Sequence, residues 1–286
     1  MVVQQHRSGG GARAVRALAV VGVVAAAAGC AGGGGADRAT AASDARDGAV
    51  DAVRRAAVVL AGDGAASAEV LTSMETAAGG TRLTIRGSGS YDFRAASGRL
   101  KVVLPPDAAG AEEHRPITEL LAPGALYMKN RGAGVPADKW VRIDTTALED
   151  GNLVTGGVTD PLAAAELLRG AEAVTYVGET ELAGVPVRHY RGTADIGRAA
   201  RTAAPGARAA LAAAAKGFRT RAVRFDAYLD EQGRLRKVRH RFRFANEGPA
   251  VEVVSTMLLY GFGVPVTVRL PDERDIYTGE IGQGRA

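Results

Sequence analysis

Apolar and polar positions alternate without a break from Arg82 to Arg94. Leu83, Ile85, Gly87, Gly89, Tyr91 and Phe93 take one side, and Arg82, Thr84, Arg86, Ser88, Ser90, Asp92 and Arg94 the other. That period of two predicts a long strand with one buried face. The pattern returns in the last third of the chain. Val223, Phe225, Ala227 and Leu229 oppose Arg224, Asp226 and Asp230. After a turn at Asp230-Glu231-Gln232-Gly233, Val238, His240, Phe242 and Phe244 oppose Lys237, Arg239, Arg241 and Arg243. Val251, Val253, Met257 and Leu259 continue the buried set, and Val264 to Leu270 reads as a final strand. Further strands are expected at Ser67–Thr76, Arg99–Leu104, Ile117–Ala122, Ala125–Asn130 and Lys139–Ile143. Pro123-Gly124 marks a tight turn, and Val174–Thr193 a hairpin turning at Ala183-Gly184.

Helical spacing occurs in three places. Val50, Val53, Ala57 and Leu60 form one apolar stripe, which predicts a short amphipathic helix closed near Gly62 and Gly64. Asp160-Pro161 places an N-cap residue before a proline suited to the first helical position, opening a helix that runs through Leu168 to Gly170. The alanine-rich stretch Asp195–Lys216 is helical, interrupted at Pro205 and ended by Gly217. About ten strands with one wet face, and few helices, predict an α+β fold: a strongly curved antiparallel sheet, a half-open β-barrel, covered by helices.

The start of the chain carries a different pattern. Arg7, Arg13 and Arg16 precede the run ALAVVGVVAAAAGC at Ala17–Cys30, and no acidic residue occurs before Asp37. A basic segment, a short apolar run and small residues at its end have the layout of an export signal. The run is shorter than the roughly 20 residues that span a bilayer. Ala27-Ala28-Gly29-Cys30 resembles the bacterial lipobox, which implies a diacylglyceryl, palmitate-bearing Cys30 as the first mature residue, anchored at the extracytoplasmic face of the cell membrane. The expected organisation is a signal peptide over 1–29, a flexible Gly/Ala-rich tether over 30–47, a single domain over 48–278 and a polar tail over 279–286.

Removing the signal changes the charge. The whole chain has 36 Lys+Arg against 31 Asp+Glu. Loss of three arginines leaves a balance of +2, less basic than a nucleic-acid binder. With its single cysteine committed to the anchor, the domain has no disulfide and no thiolate metal site.

Several phrases recur in order in one family: Lys139-Trp140-Val141-Arg142-Ile143-Asp144, Asp160-Pro161, Gly178-Glu179-Thr180-Glu181-Leu182-Ala183-Gly184-Val185-Pro186, His189-Tyr190-Arg191-Gly192-Thr193 and Asp230-Glu231-Gln232-Gly233-Arg234-Leu235. Together with the lipobox they resemble the actinobacterial LppX/LprG-type lipoproteins, which share a fold with the LolA and LolB lipoprotein carriers. The resemblance covers roughly Val50 to Tyr277. It implies an apolar cavity between sheet and helices that holds acyl chains of a lipid or lipoglycan and carries them through the cell envelope. None of the shared motifs is catalytic.

The residues themselves leave two functions open, a lipid-binding carrier and an envelope scaffold or sensor partner whose interior is filled by its own side chains. Cavity candidates on the apolar faces are Gly87, Gly89, Tyr91, Phe93, Phe225, Ala227, Phe242 and Met257. Gly87 and Gly89 make room for a ligand on one reading and a bend in the sheet on the other. The stripe Lys237, Arg239, Arg241 and Arg243 either meets anionic headgroups or pairs across strands with Asp226, Asp230 and Glu252. No enzyme is expected. The chain has no Gly-x-Ser-x-Gly elbow, Walker loop or HExxH sequence, and Gly132-Ala133-Gly134 runs into Val135-Pro136 where a dinucleotide-binding helix would have to start. His114, His189 and His240 are isolated from one another in sequence, so neither a metal nor another cofactor is expected, and the protein partner is left undefined.

Overall fold

The computed structural model describes residues 34–62, 65–78, 81–105, 115–131, 134–155, 158–244 and 250–279. The signal segment, Cys30, His114, Gly132-Ala133 and all but the first residue of the polar tail lie outside the described residues. The chain divides into two units, Met1–Thr40 and Ala41–Ala286; of the first, the described part is the start of a helix.

The alternating stretches become eleven strands of one sheet: β1 Ser67–Ala78, β2 Thr81–Asp92, β3 Ser97–Val103, β4 Ile117–Ala122, β5 Ala125–Lys129, β6 Trp140–Asp144, β7 Ala171–Leu182, β8 Val185–Asp195, β9 Ala222–Leu229, β10 Leu235–Phe244 and β11 Val251–Tyr260. Their order is β6-β5-β4-β3-β2-β1-β11-β10-β9-β8-β7. Each neighbouring pair is antiparallel. Two meanders, β1–β6 and β7–β11, are therefore joined where the first strand meets the last. β6 and β7 are left as free edges of a curved, unclosed sheet, the α+β architecture expected from the alternation.

The helices are α1 Gly34–Leu60, α2 Pro161–Glu166, α3 Ile196–Thr202 and α4 Pro205–Gly217, with a 3-10 turn at Leu167–Gly170. They cover the inward face. Val53, Ala57 and Leu60 of α1, Leu162 of α2, Leu167 and Leu168 of the turn, Ile196 of α3 and Leu211 of α4 join Val70, Leu100, Val238 and Leu259 of the sheet in one buried core. Burying such aliphatic side chains gains about 1.5–3 kcal/mol each. That many of them accounts for a domain held without disulfides.

Two boundaries differ from expectation. The first helix begins at Gly34, inside the stretch read as tether, because Ala36 to Arg46 is rich in alanine and arginine, both good helix formers. Val264–Leu270 does not pair as a strand. Pro265 lacks an amide donor, and the segment crosses the outward face instead. There Val268 and Ile276 pack on Leu120, Ala125, Tyr127 and Trp140 in a second, small cluster. The Tyr277 amide donates to the Trp140 carbonyl at 2.8 Å, fixing the end of this strap.

Candidate functional site

The interior between sheet and helices brings together six of the eight cavity candidates. Tyr91, Phe93, Phe225, Ala227, Phe242 and Met257 are all buried and all belong to the main core. Their neighbours are set by register: Ala227 lies between Tyr190 and Val238, and Met257 between Thr72 and Val238. Phe218, at the end of α4, stacks at a tilt on Phe242 and Phe244 with centroids 5.7 and 5.2 Å away, pinning that helix to β10.

Tyr91 does more than fill space. Its hydroxyl donates to the half-buried Asp160 carboxylate, which also accepts from the amides of Leu162 and Ala163 at 2.7 and 3.0 Å. The cap of α2 is thus tied directly to β2. Burial, the Asp160 and Asp92 charges and the bond to Asp160 all push the Tyr91 phenol well above its ordinary range. At the far end of the same helix, Glu166 accepts from the Ala204 amide at 2.7 Å and pairs with Arg169 at 2.6 Å, linking α2 to the α3–α4 junction.

The two glycines do not provide the ligand room that one reading of them expected. A Cβ on Gly89 would fall 1.9 Å from the Arg99 carbonyl oxygen of β3, so glycine is there because two backbones approach closely. A Cβ on Gly87 would meet Thr72 Cγ2 at 2.7 Å and Val158 Cγ1 at 3.4 Å; the loop before α2 already occupies that space. Beneath the helices, beside Tyr91, Asp160, Ala163 and Ala207, is a cavity of about 20 Å3.

Among the described residues, four polar side chains of the interior carry atoms without a hydrogen-bond partner: Thr72 Oγ1, Glu119 Oε1, Asn152 Oδ1 and both ring nitrogens of His240. Glu119 sits on β4 between Leu100 and Met128 and is 1 % exposed. Burial, aided by Asp160 and opposed by Arg131, raises its carboxyl to about 8. His240 lies between Phe225 and Ser255, and burial lowers it to about 3, so the ring is neutral. Alternation along β10 places His240 on the apolar face, whereas Glu119 is not among the residues expected inside. The signal was there in the run Ile117-Thr118-Glu119-Leu120-Leu121, which puts Glu119 in phase with two buried residues.

On the outward face the cationic stripe divides. Asp226, with its side chain 6 % exposed, accepts from Arg241 Nη1 at 2.8 Å and Arg191 Nε at 2.9 Å, and bonds His189 Nε2 at 2.9 Å. Burial alone would raise this carboxyl, but the three hydrogen bonds outweigh it and hold it at about 2. Glu252 pairs with Arg224 at 3.1 Å. Asp230 accepts from Arg234 Nε at 2.8 Å and closes the β9–β10 turn. Lys237 lies over the Tyr228 ring at 5.2 Å, while Arg239 and Arg243 carry no ion pair among the described residues. Also among the described residues, no three His, Cys, Asp or Glu side chains converge as metal ligands, and no helix is long and apolar enough to cross a membrane.

No protein-family model and no curated protein matches the chain. Among solved structures it is similar to the lipoprotein LppX of Mycobacterium tuberculosis, at 11% identity over 78% of this chain and 99% of that one, with a TM-score of 0.47. It is similar to LprF from Mycobacterium bovis at 11% identity over 79% and 97% of the two chains, with a TM-score of 0.42. A LolA superfamily protein from Nitrosomonas europaea is 12% identical over 82% and 98%, with a TM-score of 0.33. These belong to the lipoprotein and LolA-type group that the sequence phrases resemble.

Proposed function

We propose that this chain is an exported lipoprotein, anchored through a diacylglyceryl group on Cys30 at the extracytoplasmic face of the cell membrane, that holds the acyl part of a lipid or lipoglycan between its sheet and its helices. The observation that carries this reading is the make-up of the helical cover. Ala163, Ala164 and Ala165 of α2, Ala199 and Ala200 of α3, and Ala207 and Ala214 of α4 supply much of its buried surface. Helices that bury methyl groups lift from a sheet at lower cost than helices interlocked by large side chains, since the cost follows apolar area. Each methylene of an acyl chain placed beneath them would return about 0.8 kcal/mol. Thr72, Glu119 and His240 offer polar atoms to an ester or headgroup.

A second reading, a scaffold or sensor partner that binds no lipid, is favoured by one observation: the cavity beside Asp160, Ala163 and Ala207 under the helices is about 20 Å3. Amide hydrogen exchange with and without a fluorescent acyl probe separates the two. For a carrier, the probe binds saturably and alters exchange across 161–217; for a scaffold, it leaves those amides unchanged. The anchor is tested apart from the cavity. A Cys30→Ala chain that still partitions with membranes contradicts attachment through that residue.

A further inference from the structure

The outward face of the sheet carries a groove of about 470 Å3 where β1, β2, β3, β10 and β11 run side by side. Its position follows from register. Leu71 pairs with Leu258 on one side and Ser88 on the other, Leu258 with Lys237, Ser88 with Lys101, and Arg86 with Val103. All of these point away from the core formed by Val70, Val102, Val238 and Leu259. Leu71 is 43 % exposed and Val103 45 % exposed, so the floor is an apolar surface presented to solvent. Around it stand Arg86, Lys101 and Lys237, and no carboxylate lines the groove. None of the three makes an ion pair among the described residues. The acidic residues on that face of β1, Glu69 and Glu75, lie outside the lining, and Asp226 is occupied by Arg191 and Arg241.

An apolar floor ringed by three cations complements a molecule that is apolar along its length and anionic at one end. The volume is within the range of small-molecule sites, about 300–1,000 Å3. We propose that this groove is a binding site for an anionic phospholipid, with an acyl chain lying on Leu71, Val103 and Leu258 and the headgroup phosphate held by Arg86, Lys101 and Lys237. Arginine and lysine suit a phosphate through charge-assisted hydrogen bonds. The site is on the opposite face of the sheet from the covered interior and stands whether or not that interior holds a ligand.

The test is calorimetric titration of the full chain with dihexanoylphosphatidylglycerol below its micelle concentration. The expected result is saturable binding that weakens about tenfold in Leu71→Asp and in Lys101→Gln, the size of one lost charge-assisted contact. Dihexanoylphosphatidylcholine should bind about tenfold more weakly, and glycerol phosphate not at all. Equal affinity for the phosphatidylcholine, whose choline cancels the charge of the same phosphate, overturns selection of an anionic lipid by the cations. Equal affinity for glycerol phosphate overturns the role of the apolar floor. Binding unchanged by both substitutions belongs to the interior or elsewhere and overturns the site, as does no binding. Both substitutions are at outward-facing positions. Should either lower the melting temperature, Arg86→Gln and Lys237→Gln replace it and are held to the same expectation.

Discussion

Asp226 and Glu119 are both buried carboxyls, and their surroundings drive them in opposite directions. Asp226 is held at about 2 by hydrogen bonds from Arg241, His189 and Arg191 that outweigh its burial. In the unfolded chain it titrates near 3.8. Its contribution is therefore complete above about pH 4 and is lost as pH falls through about 2. Asp226→Asn should cost about 2 kcal/mol at pH 7 and flatten the acid limb of stability below pH 4, read by urea melts across pH. Glu119 reverses the sign. Its folded carboxyl holds a proton to about 8, whereas the unfolded one releases it near 4.5, so folding loses stability as pH rises between those values. Glu119→Gln should melt higher than the parent at pH 8, by a gain of order 1–3 kcal/mol, and match it at pH 4. At this scale the sequence showed which residues face inward, because alternation specifies a face. It could not show Gly89 meeting the Arg99 carbonyl, since alternation gives the face of a residue and not how closely the β2 and β3 backbones are drawn together.

Among the elements, α2 is the shortest of the four α-helices and is held by polar ties at both ends. Asp160 caps it, Tyr91 holds Asp160 to β2, and Glu166 joins its other end to the α3–α4 junction. A six-residue helix has too few internal bonds to persist alone, so these ties set its stability. Asp160→Ala should cost about 1–2 kcal/mol and speed amide exchange across 161–170 more than in β2 or β10, as seen by mass-detected exchange. The Asp160-Pro161 start and the break at Pro205 were legible because capping and proline rules act within a few residues. The strand expected at Val264–Leu270 failed for a complementary reason. Its alternation was correct for a segment with one apolar side, but that side packs on Leu120 and Tyr127 as an unpaired strap. Periodicity reports a buried face and not a hydrogen-bonded partner.

At the scale of the molecule, the joining of β1 to β11 gives a sheet with two different faces. The inward face carries the continuous apolar core under alanine-lined helices, and the outward face the ion-pair cluster at Asp226 and the groove at Leu71. The curved sheet and its cover followed from counting alternating segments. The strand order did not, since pairing the first strand with the last leaves no local mark in the chain. The stripe Lys237, Arg239, Arg241 and Arg243 was visible as a pattern, yet only assembly shows that Arg241 belongs to Asp226 while Lys237 belongs to the groove. If the covered interior carries an apolar ligand, that ligand should leave the cell with the protein. The measurement that bears on it most directly is a native mass spectrum of the protein purified from its own cells, with the Leu71→Asp chain run alongside to discount lipid on the outward face. Bound acyl species that survive aqueous washing are expected in both chains; a bare mass in both rules out a ligand in the interior.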